Sequence, residues 1–150
     1  MIAKEQLRAL IPHAGDMCLL DTVEEWTADD IRCTTLTHLA PHHPLRRQDQ
    51  LAGLHLVEYA AQAMAVHGAL LAQGAERGKA QPGMLGALRD IRLFVTRLDT
   101  LCGPLTVNAK RRLARADGLV YDFKIDNGGR LLCEGRVVVA LGMALAEQSV

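Results

Sequence analysis

Aromatic side chains make up only 3% of the 150 residues, which argues against a surface built to stack nucleic-acid bases. Net charge is missing too: seventeen Lys and Arg are matched by seventeen Asp and Glu. No field of one sign therefore points to nucleic acid or an anionic membrane. There is no Cys-x-x-Cys pair. Cys18, Cys33, Cys102 and Cys133 are widely spaced and form no ligand cluster, a pattern that reads as buried, reduced thiols in a cytoplasmic protein. The opening MIAKEQLRAL mixes Lys4, Glu5 and Arg8 and has no apolar core of the kind a secretory leader needs. Repeats and low-complexity tracts are absent. What remains, 49% apolar and 23% charged residues, is the composition of one globular domain spanning residues 1–150.

The pattern along the chain predicts a short helix over residues 3–10 and a turn over 11–15. Strands follow at Met17–Trp26, with Leu20, Val23 and Trp26 inward, and at Ile31–Leu39. A loop runs from Ala40 to Gln50, marked by Pro41 and Pro44. The stretch 51–73, LAGLHLVEYAAQAMAVHGALLAQ, is rich in Ala, Leu and Met and predicts one long helix. It is long enough to cross a bilayer, but His55, Glu58, Gln62 and His67 make it too polar for an ordinary span. After a connector over 74–83 come four strands, Met84–Val95, Pro104–Ala114, Leu119–Asp126 and Arg130–Leu141. The last two are joined by Asp126-Asn127-Gly128-Gly129, a hairpin signal. Strands gathered around one hydrophobic helix make an α+β fold in which a sheet wraps the helix. A helix apolar on all sides must be covered on all sides. One curved sheet covers part of it, so a second protomer is the natural lid.

Glu58 is the only charged side chain in that long apolar run. An ionised carboxylate in hydrocarbon surroundings is costly unless it is paired or kept protonated, which makes Glu58 the leading candidate for a catalytic acid. At 100° per residue, His55 and Gln62 lie roughly 60° and 40° from it around the helix axis. The three therefore share a face, either as a catalytic constellation or as a buried hydrogen-bond network that fixes packing. His67 points the other way, as a packed or rim histidine. Upstream, His38, His42 and His43 crowd the loop. Pro41 and Pro44 spoil helical metal-ligand spacing there, and no metal site is expected. A loop histidine placed to move protons is the alternative to a solvated polar loop.

Two motifs together carry a resemblance. Leu10-Ile11-Pro12-His13 followed by Met17-Cys18-Leu19-Leu20-Asp21-Thr22-Val23 resembles the opening of bacterial 3-hydroxyacyl-acyl-carrier-protein dehydratases. His42-His43-Pro44, then Gly53-Leu54-His55-Leu56-Val57-Glu58-Tyr59-Ala60-Ala61-Gln62, is similar to that family's His-x-Pro loop and helix. The likeness is closer to the dehydratase-like proteins of aryl polyene pigment clusters, which share a Glu-Tyr-x-Ala-Gln-Ala core. It extends over residues 10–141, although only the helix motif is specific. The resemblance implies a hot-dog fold, an antiparallel sheet wrapped around a central helix, with protomers paired as a homodimer or a heterodimer. It also implies that a loop histidine of one protomer removes the proton α to a thioester carbonyl. The helix carboxylate of the other protonates the departing β-hydroxyl, leaving a trans-2-enoyl thioester. The substrate would arrive on the phosphopantetheine of an acyl carrier protein, with no other cofactor.

Carried onto this chain, the resemblance makes His43 and Glu58 catalytic and places Gly53, His42, His55 and Gln62 around the substrate. The backbone N–H near Gly53 would polarise the carbonyl. Pro41 stands near where the family has a glycine, Ala52-Gly53 replaces its Pro-Gly, and the loop from Pro44 to Gly53 is longer. Counting back from Glu58 selects His43, the His-x-Pro frame selects His42, and His55 is a third candidate. A non-catalytic or half-site subunit of a heterodimeric dehydratase is one alternative; a hot-dog thioesterase using the same carboxylate and water is another. An acidic carrier protein requires a basic patch, for which Arg89, Arg92, Arg97, Lys110, Arg111, Arg112 and Arg115 are candidates, with Arg46 and Arg47 as substitutes.

Overall fold

The computed structural model describes residues 1–11, 17–74 and 83–141; the turn expected over 11–15 and the connector over 74–83 fall mostly outside them. The elements are β1 (Ile2–Ala3), α1 (Lys4–Leu10), β2 (Thr22–Trp26), β3 (Asp30–Thr35), α2 (Leu56–Gln73), β4 (Gly83–Leu93), β5 (Leu105–Arg115), β6 (Gly118–Asn127) and β7 (Arg130–Leu141). Single 3-10 turns, Thr37–Leu39 and Gly53–His55, flank the loop before α2. All strands join one antiparallel sheet in the order β1-β2-β3-β5-β6-β7-β4. The α+β arrangement expected from the pattern is the one observed, with α2 packed on β3, β5 and β6.

Local chemistry explains most of these elements. In β5, Leu105, Val107 and Ala109 are buried while their neighbours are less so, the period-two signature of a half-buried strand. Between β6 and β7, Asn127 pairs with Arg130 across Gly128 and Gly129, whose φ values of 57° and 87° demand residues tolerant of the left-handed region.

The expected strand over 17–26 begins only at Thr22, because the backbone of Met17 and Leu19 is committed to side chains instead of a neighbouring strand. The Leu19 N–H goes to Gln62, the Leu19 carbonyl accepts from Thr35 and Thr37, and the Met17 carbonyl accepts from Gln62. Likewise β3 stops at Thr35, where the Leu36 N–H turns to the Asp21 carboxylate at 2.7 Å. Trp26, expected inward, is 38% exposed because β2 runs out there. Cys102 is exposed, unlike the other three thiols, and among the described residues all four cysteines are unbridged.

One side of the molecule is left bare. Among the described strands β4 pairs with β7 alone, and Met84, Leu85, Leu88 and Leu93 along it, with Phe94 just beyond, are 41–57% exposed. On α2, Ala65 is exposed, and Val57, Ala61, Gly68, Ala69 and Ala72 are half-buried. The edge strand and the helix stripe together leave a largely apolar surface on this side.

Candidate active site

Gln62 is fully buried on α2 and uses its whole amide. Its oxygen accepts the Leu19 N–H at 2.8 Å, and its nitrogen donates to the Met17 carbonyl at 2.6 Å and to Glu58 Oε1 at 3.3 Å. Spacing placed Gln62 beside Glu58, and the structure brings them together. Glu58 itself is half-buried in the first turn of α2. The dry surroundings expected for it are not complete within one chain. His55 sits ahead of α2 in a 3-10 turn, so the helical angle that aligned it with Glu58 does not apply there.

The two adjacent loop histidines have opposite environments. His42 is exposed, at a cavity of about 200 Å³ that Lys4, Arg8, Cys18, Thr37 and His43 also line. His43 is 5% exposed and both its ring nitrogens are engaged. The Leu45 N–H donates to Nδ1 at 3.1 Å, and Nε2 lies 3.1 Å from the Tyr59 hydroxyl. A nitrogen that accepts from an amide carries no proton, so in the neutral ring Nε2–H is the donor to Tyr59. A general base needs a lone pair facing its substrate. His43, the base expected from counting back along the chain, has neither nitrogen open for that task in this arrangement. His42, the residue of the His-x-Pro frame, is the accessible imidazole.

Tyr59 and Thr37 were missed in the sequence. Tyr59 is fully buried, and its hydroxyl lies 2.9 Å from Thr37 Oγ1; burial pushes the phenol up to about 12. A signal was available: a tyrosine inside an apolar helix needs a partner for its hydroxyl.

Gly53 is explained by backbone packing. Its N–H donates to the Thr96 carbonyl at 2.9 Å, and a Cβ there would collide with the Val95 carbonyl. Its own N–H is therefore spent. The neighbouring Leu54 N–H is the one that a helix start leaves without an intrahelical acceptor. Arg46 donates to the carbonyls of Ala40, Asp49 and His38, so it staples the loop together.

His67 is packed, as expected: Nε2 donates to the Thr27 carbonyl at 2.8 Å and Nδ1 accepts from the Tyr121 hydroxyl at 2.6 Å. Burial holds both His67 and the fully buried His38 below the usual imidazole range. Among the described residues no group of His, Cys, Asp or Glu could hold a metal ion. No described helix is long and apolar enough to cross a membrane.

Arg92, Lys110 and Arg112 line a wider depression of about 1000 Å³ that contains none of the predicted site residues. Acids are interspersed there: Arg112 and Arg136 both grip Asp122, at 2.9 and 2.8 Å. Arg97 is likewise paired with Asp99. Of the candidate cations, Arg97 and Arg112 are thus paired with acids.

A family model described as ApeP-like, ApeP dehydratase, matches residues 5–147. Nothing among the curated proteins matches. Of the solved structures, the dehydratase heterocomplex ApeI:P from Xenorhabdus doucetiae superposes with a TM-score of 0.82 at 21% identity, over 95% of each chain. The thioesterase HI1161 from Haemophilus influenzae gives 0.65 at 17% identity, over 95% of this chain and 92% of that one. A hypothetical thioesterase from Streptococcus pneumoniae, solved with coenzyme A, gives 0.59 at 17% identity over 81% and 84%. At these identities the structures establish the hot-dog fold.

Proposed function

The chain belongs to the ApeP-like dehydratase family, and from that premise we propose that it dehydrates a 3-hydroxyacyl thioester, carried on an acyl carrier protein, to the trans-2-enoyl thioester. The observation that carries this reading is the span of the family match, which contains both the His42-His43-Pro44 loop and the Glu58 helix. The partner in this reading is a related subunit seated on β4 and the bare face of α2. That would complete the burial of Glu58 and favour its protonated form. The similar structure is itself a heterocomplex.

In the proposed reaction, His42 as neutral imidazole takes the proton from the carbon α to the thioester carbonyl. Negative charge develops on the carbonyl oxygen, towards which the Leu54 N–H at the helix start is a suitable donor. Protonated Glu58 gives its proton to the β-hydroxyl, the carbon–oxygen bond breaks, and water leaves as the double bond forms. The imidazolium and the carboxylate are then reset by one proton transfer.

The half-exposed Glu58 favours a second reading, in which this chain supplies only part of a site to its partner. The test is enoyl hydration and dehydration by the purified chain, alone and with its partner, in wild type, His42→Ala, His43→Phe and Glu58→Gln. His42→Ala and Glu58→Gln should each lose on the order of 10²–10⁴-fold in kcat, and His43→Phe about tenfold. Full activity of Glu58→Gln would eliminate the mechanism. Activity surviving only in the partner's own site would assign this chain to support. Release of free thiol without dehydration would instead favour the thioesterase chemistry of the structural neighbours.

A further inference from the structure

Two runs of hydrogen bonds that meet at the backbone of Leu19 tie the His42 loop to Glu58, and the direction of the first is set at both of its ends. The Leu45 N–H can only donate, and it donates to His43 Nδ1. The ring therefore passes its Nε2–H to the Tyr59 hydroxyl. Tyr59 in turn gives its proton to Thr37 Oγ1, which donates to the Leu19 carbonyl at 2.6 Å. That carbonyl can only accept. Across the same residue the Leu19 N–H continues to Gln62, and Gln62 to Glu58.

We infer that Tyr59 is a positioning residue of the dehydration site: its hydroxyl ties the loop that presents His42 to the framework that orients Glu58. This rests on the reading of His42 as the base. Tyr59 bridges helix and loop by way of His43. A second ring proton on His43 would meet the Leu45 N–H head-on, so the ring is locked in one neutral tautomer. Thr35 braces the same chain through the Leu19 carbonyl and Asp21, which also pairs with Lys4. The loop is thus held from the core side by His43 and from the solvent side by Arg46, while the intervening His42 stays open.

The test is Tyr59→Phe, which removes one oxygen and keeps the ring, in the assembled dehydratase. The kcat should fall about tenfold, the worth of one hydrogen bond, with KM within about threefold because Tyr59 does not touch substrate. Nitrogen NMR of the imidazoles supplies the independent arm. Wild-type His43 should show Nε2 protonated and Nδ1 bare, and Tyr59→Phe should keep that tautomer but shift the Nε2–H resonance as its acceptor is removed. Unchanged kcat in Tyr59→Phe overturns the proposal, as does a wild-type His43 with its proton on Nδ1. If the wild type fails to dehydrate at all, the functional reading fails, and the NMR arm alone judges Tyr59.

Discussion

Placing a methyl group on Gly53 tests how the start of α2 is set. An alanine Cβ there would overlap the Val95 carbonyl oxygen and lie 3.0 Å from its carbon and 3.2 Å from Val95 Cγ1. The obstacle is mainly backbone, so no rotamer relieves it. Either the crossing segment or the helix start must move, and the Gly53 N–H bond to Thr96 is strained or broken. Losing that bond costs about 0.5–1.5 kcal/mol and the overpacking about 1–3 kcal/mol, so Gly53→Ala should destabilise by roughly 2–4 kcal/mol. Urea unfolding would register this as a midpoint lowered by on the order of 1–2 M. Turnover should also fall, because Leu54 and Glu58 ride on the displaced turn and a shift of about 1 Å can cost on the order of 10²-fold. Gly68 is the internal control. Nothing lies within 4 Å of its built Cβ, so Gly68→Ala should raise single-chain stability by about 1 kcal/mol through helix propensity. The same substitution should weaken pairing if a partner sits on that face. A Gly53→Ala protein that unfolds at the wild-type midpoint would refute the close-approach argument.

Acid should weaken the fold earlier than carboxylate chemistry requires. Burial lowers the folded-state values of His38 and His67 below 6.5, so the unfolded chain binds more protons as pH drops below 6.5. Stability is then full above that value and is lost as pH falls through the folded values, at no more than about 1.4 kcal/mol per pH unit for each histidine. Unfolding midpoints between pH 7.5 and 5 measure the slope; a flat profile would contradict it, and His67→Gln should reduce it. Gln62→Leu leaves the Leu19 N–H and the Met17 carbonyl without their buried partner, at about 2–4 kcal/mol. It should also lower turnover by releasing Glu58, and wild-type stability in this variant would count against the network.

What could be read along the chain was whatever local chemistry settles. Helix α2 follows from a run of Ala, Leu and Met, the β6–β7 hairpin from Asn127-Gly128-Gly129, and β5 from its alternation. Glu58 and Gln62 could be paired because a helix brings residues four apart onto one face. The family resemblance gave the loop histidine its role as base, yet two counting frames selected different residues.

Contacts between distant segments settled the rest. Gly53 has no room for a side chain because Val95, remote in the chain, crosses it; residues 17–20 lie outside the strands, where Gln62, Thr35 and Thr37 claim the backbone of Met17 and Leu19. A tyrosine of α2 and an amide two residues downstream engage both ring nitrogens of His43, while His42 is exposed, and the proposal of His42 as the base rests on that contrast. Periodicity and turn propensity act between near neighbours, so composition and spacing could specify elements and name the chemical actors. Which groups surround each imidazole depends on which segments converge in space, and that is set by contacts between residues distant in the chain.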